Sequence, residues 1–150
     1  MNQEIEETIK TCDIHRARML HASKSLDSDF PLTLSKYENW NENKIAFCDQ
    51  LIYRFSKLQD SMGKLFRLTL EAMQEDTEKM TFKDILLRLE KLGLLEDHNM
   101  WIELRELRNT LSHEYPENQD EIIQGLNQLK SQLFVIENIL NQTKEYIHSK

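Results

Sequence analysis

Residues 122–147, IIQGLNQLKSQLFVIENILNQTKEYI, decide the fold. Within them Ile122, Leu126, Leu129, Leu133, Ile136, Leu140, Thr143 and Ile147 recur in alternating steps of four and three residues, without a miss. That period places a stripe on one side of a long α-helix; a half-buried strand would instead alternate at every second position. The pattern is a heptad seam, which can serve a bundle core or a contact between subunits. Upstream, Asn118 followed three residues later by Glu121 has the spacing of a helix start.

The same period governs most of the chain before it. From about Asn43 to Gln74, the positions Ile45, Cys48, Ile52, Phe55, Leu58, Met62, Leu65, Thr69 and Met73 predict one helix, roughly 45 Å long at 1.5 Å per residue. Gly63 sits within it, either where another element approaches closely or simply as a tolerated glycine. Thr81-Phe82-Lys83-Asp84 resembles a capping box with aspartate in place of glutamate. It opens a shorter helix with Phe82, Ile85, Leu86, Leu89 and Leu92 on its apolar side and Gly93 as its stop. Asp97 caps the next. A first helix runs from Gln3 to Leu26, its stripe of Ile5, Ile9, Cys12, Met19 and Leu26 interrupted by Arg16 and Ser23. Asp27-Ser28-Asp29-Phe30-Pro31 breaks it. Leu32 to Asn43 has no clear period, although Tyr37 and Trp40 would pin a short helical turn there. The expectation is an all-α, antiparallel, up-and-down bundle of four to five helices, one of them short, in a single domain spanning residues 1–150.

Composition narrows the function classes. Only three Gly and two Pro leave room for few turns, which agrees with long helices. A formal net charge of −7 argues against a sequence-blind nucleic-acid binder with a broad basic face, though not against a local positive pocket. No apolar run reaches the roughly 18 residues that span a bilayer, and the polar start Met1-Asn2-Gln3-Glu4 is unlike a secretory signal. Cys12 and Cys48 are spaced like core positions, so reduced thiols and a cytoplasmic protein are expected. Cys12 and His15 lie one helical turn apart, but zinc needs more ligands and no second pair supplies them. His21, His98 and His148 have no evident partners and read as solvated. The isolated glycines form no phosphate loop.

One stretch concentrates chemistry. In Glu106-Leu107-Arg108-Asn109-Thr110-Leu111-Ser112-His113-Glu114-Tyr115-Pro116 an arginine, an amide, a hydroxyl, an imidazole and a phenol crowd together at the end of a helix. Trp101, Leu104, Arg108, Leu111 and Tyr115 share a stripe, so Arg108 stands where a leucine is expected and needs a partner. On a continuous helix Arg108 and His113 lie about 140° apart and cannot grip one phosphate together. Either the helix breaks before His113, as the Tyr115-Pro116 step favours, or a second copy of the motif completes the site. A purely structural cluster explains the residues about as well: Arg108 pairs across the bundle, His113 ends the helix near its dipole, and Tyr115 packs its ring.

Arg108-Asn109-Thr110-Leu111-Ser112-His113-Glu114-Tyr115, an arginine, four residues, a histidine, one residue and a tyrosine, closely resembles the signature of HEPN domains of the HepT type. The relatives long called nucleotidyltransferase substrate-binding proteins carry the same pattern. Tyr53-Arg54-Phe55 and Leu65-Phe66 also look like the family's middle helix. The resemblance implies a small helical bundle, commonly a homodimer, encoded beside a minimal nucleotidyltransferase in a type VII-like toxin–antitoxin pair. It implies that Arg108 and His113 cleave RNA without metal or other cofactor, with Asn109 orienting the phosphate or the imidazole and Ser112 in support. It further implies that Tyr115 accepts AMP from the partner nucleotidyltransferase, the antitoxin. Two other functions compete with this ribonuclease toxin: a non-catalytic partner subunit presenting Tyr115 or a nucleotide pocket, and a helical scaffold whose cluster is structural.

Overall fold

Side-chain caps fix where the helices begin. In the computed structural model, which describes residues 2–150, α1 (Gln3–Ser25) starts where Asn2 Oδ1 accepts from the Glu4 N–H at 2.7 Å. Thr33, Asn41, Asp97 and Asn118 likewise cap α2 (Leu34–Glu38), α3 (Glu42–Ala72), α5 (His98–Glu114) and α6 (Gln119–His148). Ahead of α4 (Phe82–Lys91), Thr81 and Asp84 exchange both bonds of a true capping box, so the shorter aspartate reaches as well as glutamate. Gly93, at φ +80°, takes the left-handed conformation beyond the end of α4 that a side chain would disfavour.

The described residues form an all-α bundle without strands. α1 packs mainly on α3, and α5 on α6. Pairings such as His15 with Arg54 and Glu4 with Lys64 show α1 and α3 running antiparallel. Arg108 with Asp60 and Tyr115 with Asp49 show the same for α5 and α3. The short α4 lies against α3 and α5. No described helix is long and apolar enough to cross a membrane.

Every seam position of α6, from Ile122 to Ile147, is buried inside the chain. The seam is therefore the core of the bundle and is not free to hold a second subunit. In α3 the stripe is buried from Cys48 onward, while Ile45 is exposed. Arg16 and Ser23, which interrupt the stripe of α1, meet polar groups of α6: Arg16 donates to Asn141 at 2.7 Å, and Ser23 Oγ accepts from Lys130 at 2.7 Å. Lys144 reaches Asp13 at 2.9 Å on the same seam. The segment without clear period contains the five-residue α2. Trp40, buried, donates from its indole to Asp29 at 2.6 Å, and the Tyr37 ring packs against it, tilted by 57° at 5.1 Å. Asn127 of α6 holds the Leu32 backbone through both N–H (2.8 Å) and C=O (3.0 Å).

Two glycines behave oppositely. A Cβ at Gly125 would lie 2.8 Å from Leu111 Cδ2, so α5 and α6 approach closely there, and the buried Leu111 side chain would have to shift to admit a methyl group. A Cβ at Gly63 would meet the Phe82 ring at 3.5 Å, an ordinary contact. Gly63 is thus a tolerated glycine, and the close approach lies at a position whose seven-residue seam gave no sign of it. Gly125→Ala is expected to lower stability by about 1–3 kcal/mol through overpacking, and Gly63→Ala to raise it by up to about 1 kcal/mol through helix propensity. Urea unfolding monitored by circular dichroism measures both.

Candidate functional site

Arg108, Asn109, Ser112 and His113 sit on α5 and Tyr115 is its C-cap, and the contact with α6 sets which of them face inward. Trp101, Leu104, Leu107 and Leu111 fill the buried side. Leu107 takes the place on that side that the sequence pattern assigns to Arg108. Arg108 lies at the flank toward α3, half-buried with 28% of its side chain exposed, and its Nη1 is 2.6 Å from Asp60 Oδ1. The partner that a half-buried guanidinium requires is therefore within the same chain.

Tyr115 closes α5 with extended torsions (φ −81°, ψ 134°), and its hydroxyl donates to Asp49 of α3. Seven residues apart, Arg108 and Tyr115 face α3 on nearly the same side, about two turns from one another. Burial first, and the bond to Asp49 second, push the Tyr115 phenol well above the ordinary tyrosine value. Next to it, burial raises the Cys48 thiol to about 12.

α5 is unbroken through Glu114, so the break falls after His113 rather than before it. The expected interruption that would have swung the imidazole toward the guanidinium is absent, and about 140° of helix separates them. Between them, at about 40° and 100° from Arg108, come Ser112 and Asn109. Asn109, Ser112 and His113 are all exposed, and among the described residues their side chains make no hydrogen bond or ion pair. One chain thus brings Arg108 and Tyr115 together on the α3 flank, and spreads Ser112, Asn109 and His113 outward along a polar arc.

Behind Arg108 a cavity of about 340 Å³ opens between α3, α4 and α5. Its wall carries Lys64, Arg67, Arg105 and Arg108, with Asp60 as its one carboxylate. Arg105 lies over the Phe82 ring at 4.8 Å, and Arg67 donates to the Thr77 carbonyl at 2.9 Å. Sequence reading overlooks this cavity, although a signal exists: Tyr53, Lys57, Asp60, Lys64 and Arg67 recur on α3 at helical spacing as a second, polar stripe.

The other titratable groups have structural duties. Cys12 is buried, and that burial raises its thiol to about 12. His15 Nδ1 lies 2.9 Å from Arg54 Nη1. Arginine only donates, so this nitrogen accepts and the imidazole is neutral. Burial, then the neighbouring Arg54, lowers the His15 pKa. His98 is not simply solvated: its ring nitrogen lies 2.8 Å from Glu90, whose carboxylate also accepts from the His98 N–H at 2.7 Å. With Asp97 these two form the one group of three close metal-type ligands among the described residues. Both carboxylates are already engaged at the start of α5, Asp97 accepting from the Asn99 N–H at 2.9 Å. His21 packs edge-on to Phe47 at 5.8 Å, and His148 is 3.6 Å from Glu6.

No protein-family model and no curated protein matches the chain.

A histidine kept neutral by the fold stabilises it above the unfolded pKa near 6.5, and that stability is lost as pH falls toward the lower folded value. The thermal midpoint of the native chain should therefore drop more between pH 7 and pH 5 than that of His15→Gln. Scanning calorimetry of both proteins across that range is the check.

Proposed function

We propose that the chain is a HEPN protein of the HepT type, acting as a homodimeric, metal-independent endoribonuclease. The observation that carries this reading is the idle, exposed arc of Ser112, Asn109 and His113 beside a buttressed Arg108. A structural role accounts for Arg108 through Asp60 and for Tyr115 through Asp49, yet it leaves the imidazole and its neighbours without work. Because guanidinium and imidazole diverge on one unbroken helix, the reading requires two α5 helices side by side. Arg108 of each copy then serves the phosphate approached by His113 of either. The α6 seam is used up inside the chain, so the dimer contact falls on the outer side of α5.

The chemistry follows from the groups. His113 takes the proton from a ribose 2′-hydroxyl, the 2′-oxygen attacks phosphorus, and the 5′-oxygen leaves with a proton returned by an imidazole. Arg108 stabilises the charge that builds on the phosphate, with Asn109 and Ser112 as further donors. The products are a 2′,3′-cyclic phosphate and a 5′-hydroxyl. His113→Ala should lower cleavage of single-stranded RNA in EDTA at least about a hundred-fold without altering the fold. Residual cleavage equal to the native rate would remove His113 from the mechanism. Arg108→Ala should act similarly while costing at most about 1 kcal/mol of stability, since its ion pair is near the surface.

The second reading, a non-catalytic subunit presented to a minimal nucleotidyltransferase antitoxin, has its own support at Tyr115. Its hydroxyl already points its proton at Asp49, an exposed carboxylate that receives it when the oxygen attacks the α-phosphate of ATP and pyrophosphate leaves. AMP attached there adds negative charge on the flank that carries Arg108. Incubating the chain with its gene neighbour and ATP should add AMP mass to the native protein and none to Tyr115→Phe, as intact-mass spectrometry reads. RNA cleavage by the native chain together with this modification supports the toxin; modification without cleavage supports the subunit.

A further inference from the structure

The cavity between α3, α4 and α5 has features that the nuclease reading leaves unused. It is formed within one chain, and Lys64, Arg67 and Arg105 line it without any part in that chemistry. In a chain of net charge −7, four cations here meet one lining carboxylate. Each is held with part of its valence open. Arg67 is anchored by a neutral carbonyl and Arg105 by the face of Phe82, so neither charge is neutralised by its contact. Lys64 touches Glu4 only at 3.5 Å and is more than half exposed. Arg108 alone has a close carboxylate partner.

Gln59 supplies an independent sign of a missing ligand. It lines the cavity, only 3% of the residue is exposed, and its Nε2 donates to the Leu104 carbonyl at 2.9 Å. That bond fixes the amide, and leaves Gln59 Oε1 buried without a partner. A buried carbonyl without a donor is unfavourable, and a bound N–H or O–H would supply what it lacks. The walls beside it, Phe82 and Trp101, are aromatic. The cavity volume falls within the roughly 300–1,000 Å³ of small-ligand sites.

We infer that this cavity is a binding site for a small phosphomonoester that carries a hydroxyl or N–H donor near its phosphate. Several cations against one carboxylate suit a dianion better than the single charge of a phosphodiester, and guanidinium forks suit its oxygens. A donor on the ligand meets Gln59 Oε1 as the side chains covering it shift, and the partly exposed Phe82 borders the less polar part of the molecule. Sugar phosphates and mononucleotides share this chemistry. The inference goes beyond the proposed nuclease: it does not involve His113 or a second copy.

Titration calorimetry of the whole native chain at neutral pH and low salt tests it, with ribose 5-phosphate, adenosine 5′-monophosphate, inorganic phosphate and ribose as probes. At least one of the two phosphomonoesters should bind saturably, more tightly than inorganic phosphate, and ribose should give no heat. The stronger of the two distinguishes a sugar phosphate from a nucleotide. The double variant Lys64→Gln, Arg105→Gln changes two exposed residues and should weaken binding at least about ten-fold. His113→Ala should bind as the native chain does, so that loss of nuclease activity and loss of this site are told apart. The inference is overturned by absence of saturable binding of both phosphomonoesters at millimolar concentration, or by affinity unchanged in the double variant. Displacement of the bound phosphomonoester by an oligonucleotide lacking terminal phosphates, at equal affinity, would also overturn it, by assigning the cavity to a nucleic-acid backbone.

Discussion

The contact between Leu111 and Gly125 governs the geometry of everything that follows it on α5. Where two helices meet this closely, rotating either opens a void or forces the buried Leu111 side chain to move. Fixing α5 in this way fixes the azimuth of every signature residue. Arg108 and Tyr115 turn toward α3, and Asn109 and His113 turn outward. A rotation of α5 by one residue would bury a polar side chain and expose Leu107 or Leu111. The packing of an apolar pair thus determines the direction in which the chemistry is presented.

α3 is the counterpart of that arrangement. One side of it is core, and its other side carries Asp49 for the phenol, Asp60 for the guanidinium, and Lys64 and Arg67 for the cavity. The chain's acidic balance hides this concentration, because most of its carboxylates lie elsewhere. Charges gathered at the edge of an apolar wall act more strongly than the same charges spread over a solvated surface, since fewer waters screen them.

Period carried the fold and failed at the places that make up the candidate site. The α6 seam, the Thr81–Asp84 cap and the stop at Gly93 were legible because each depends on residues close in sequence. α2 was legible only as a short turn pinned by Tyr37 and Trp40, without bounds, since its position depends on Asn127 and Asp29, contacts made across the chain. The assignment of Arg108 to the apolar stripe missed by one position, because steps of three and four fit both Leu107 and Arg108 and only the packed bundle chooses. A break before His113 was expected from Pro116, but proline constrains the residue immediately before it most directly, and α5 continues to Glu114. The cavity shows in the sequence only as the polar stripe of α3: its enclosure needs α3, α4 and α5 together, and the amide oxygen without a donor beside it exists only in three dimensions.

The polar seam between α1 and α6 has a further consequence. Hydrophobic stripes alone tolerate sliding by a turn, because a leucine shifted by about 5.4 Å finds another leucine-sized hole. Asp13 with Lys144, Arg16 with Asn141 and Ser23 with Lys130 are spaced from the middle of α1 towards its C-terminal end, so such a slide would mismatch all three at once. They work as the teeth of a vernier: individually weak, together they admit a single longitudinal alignment of the first and last helices.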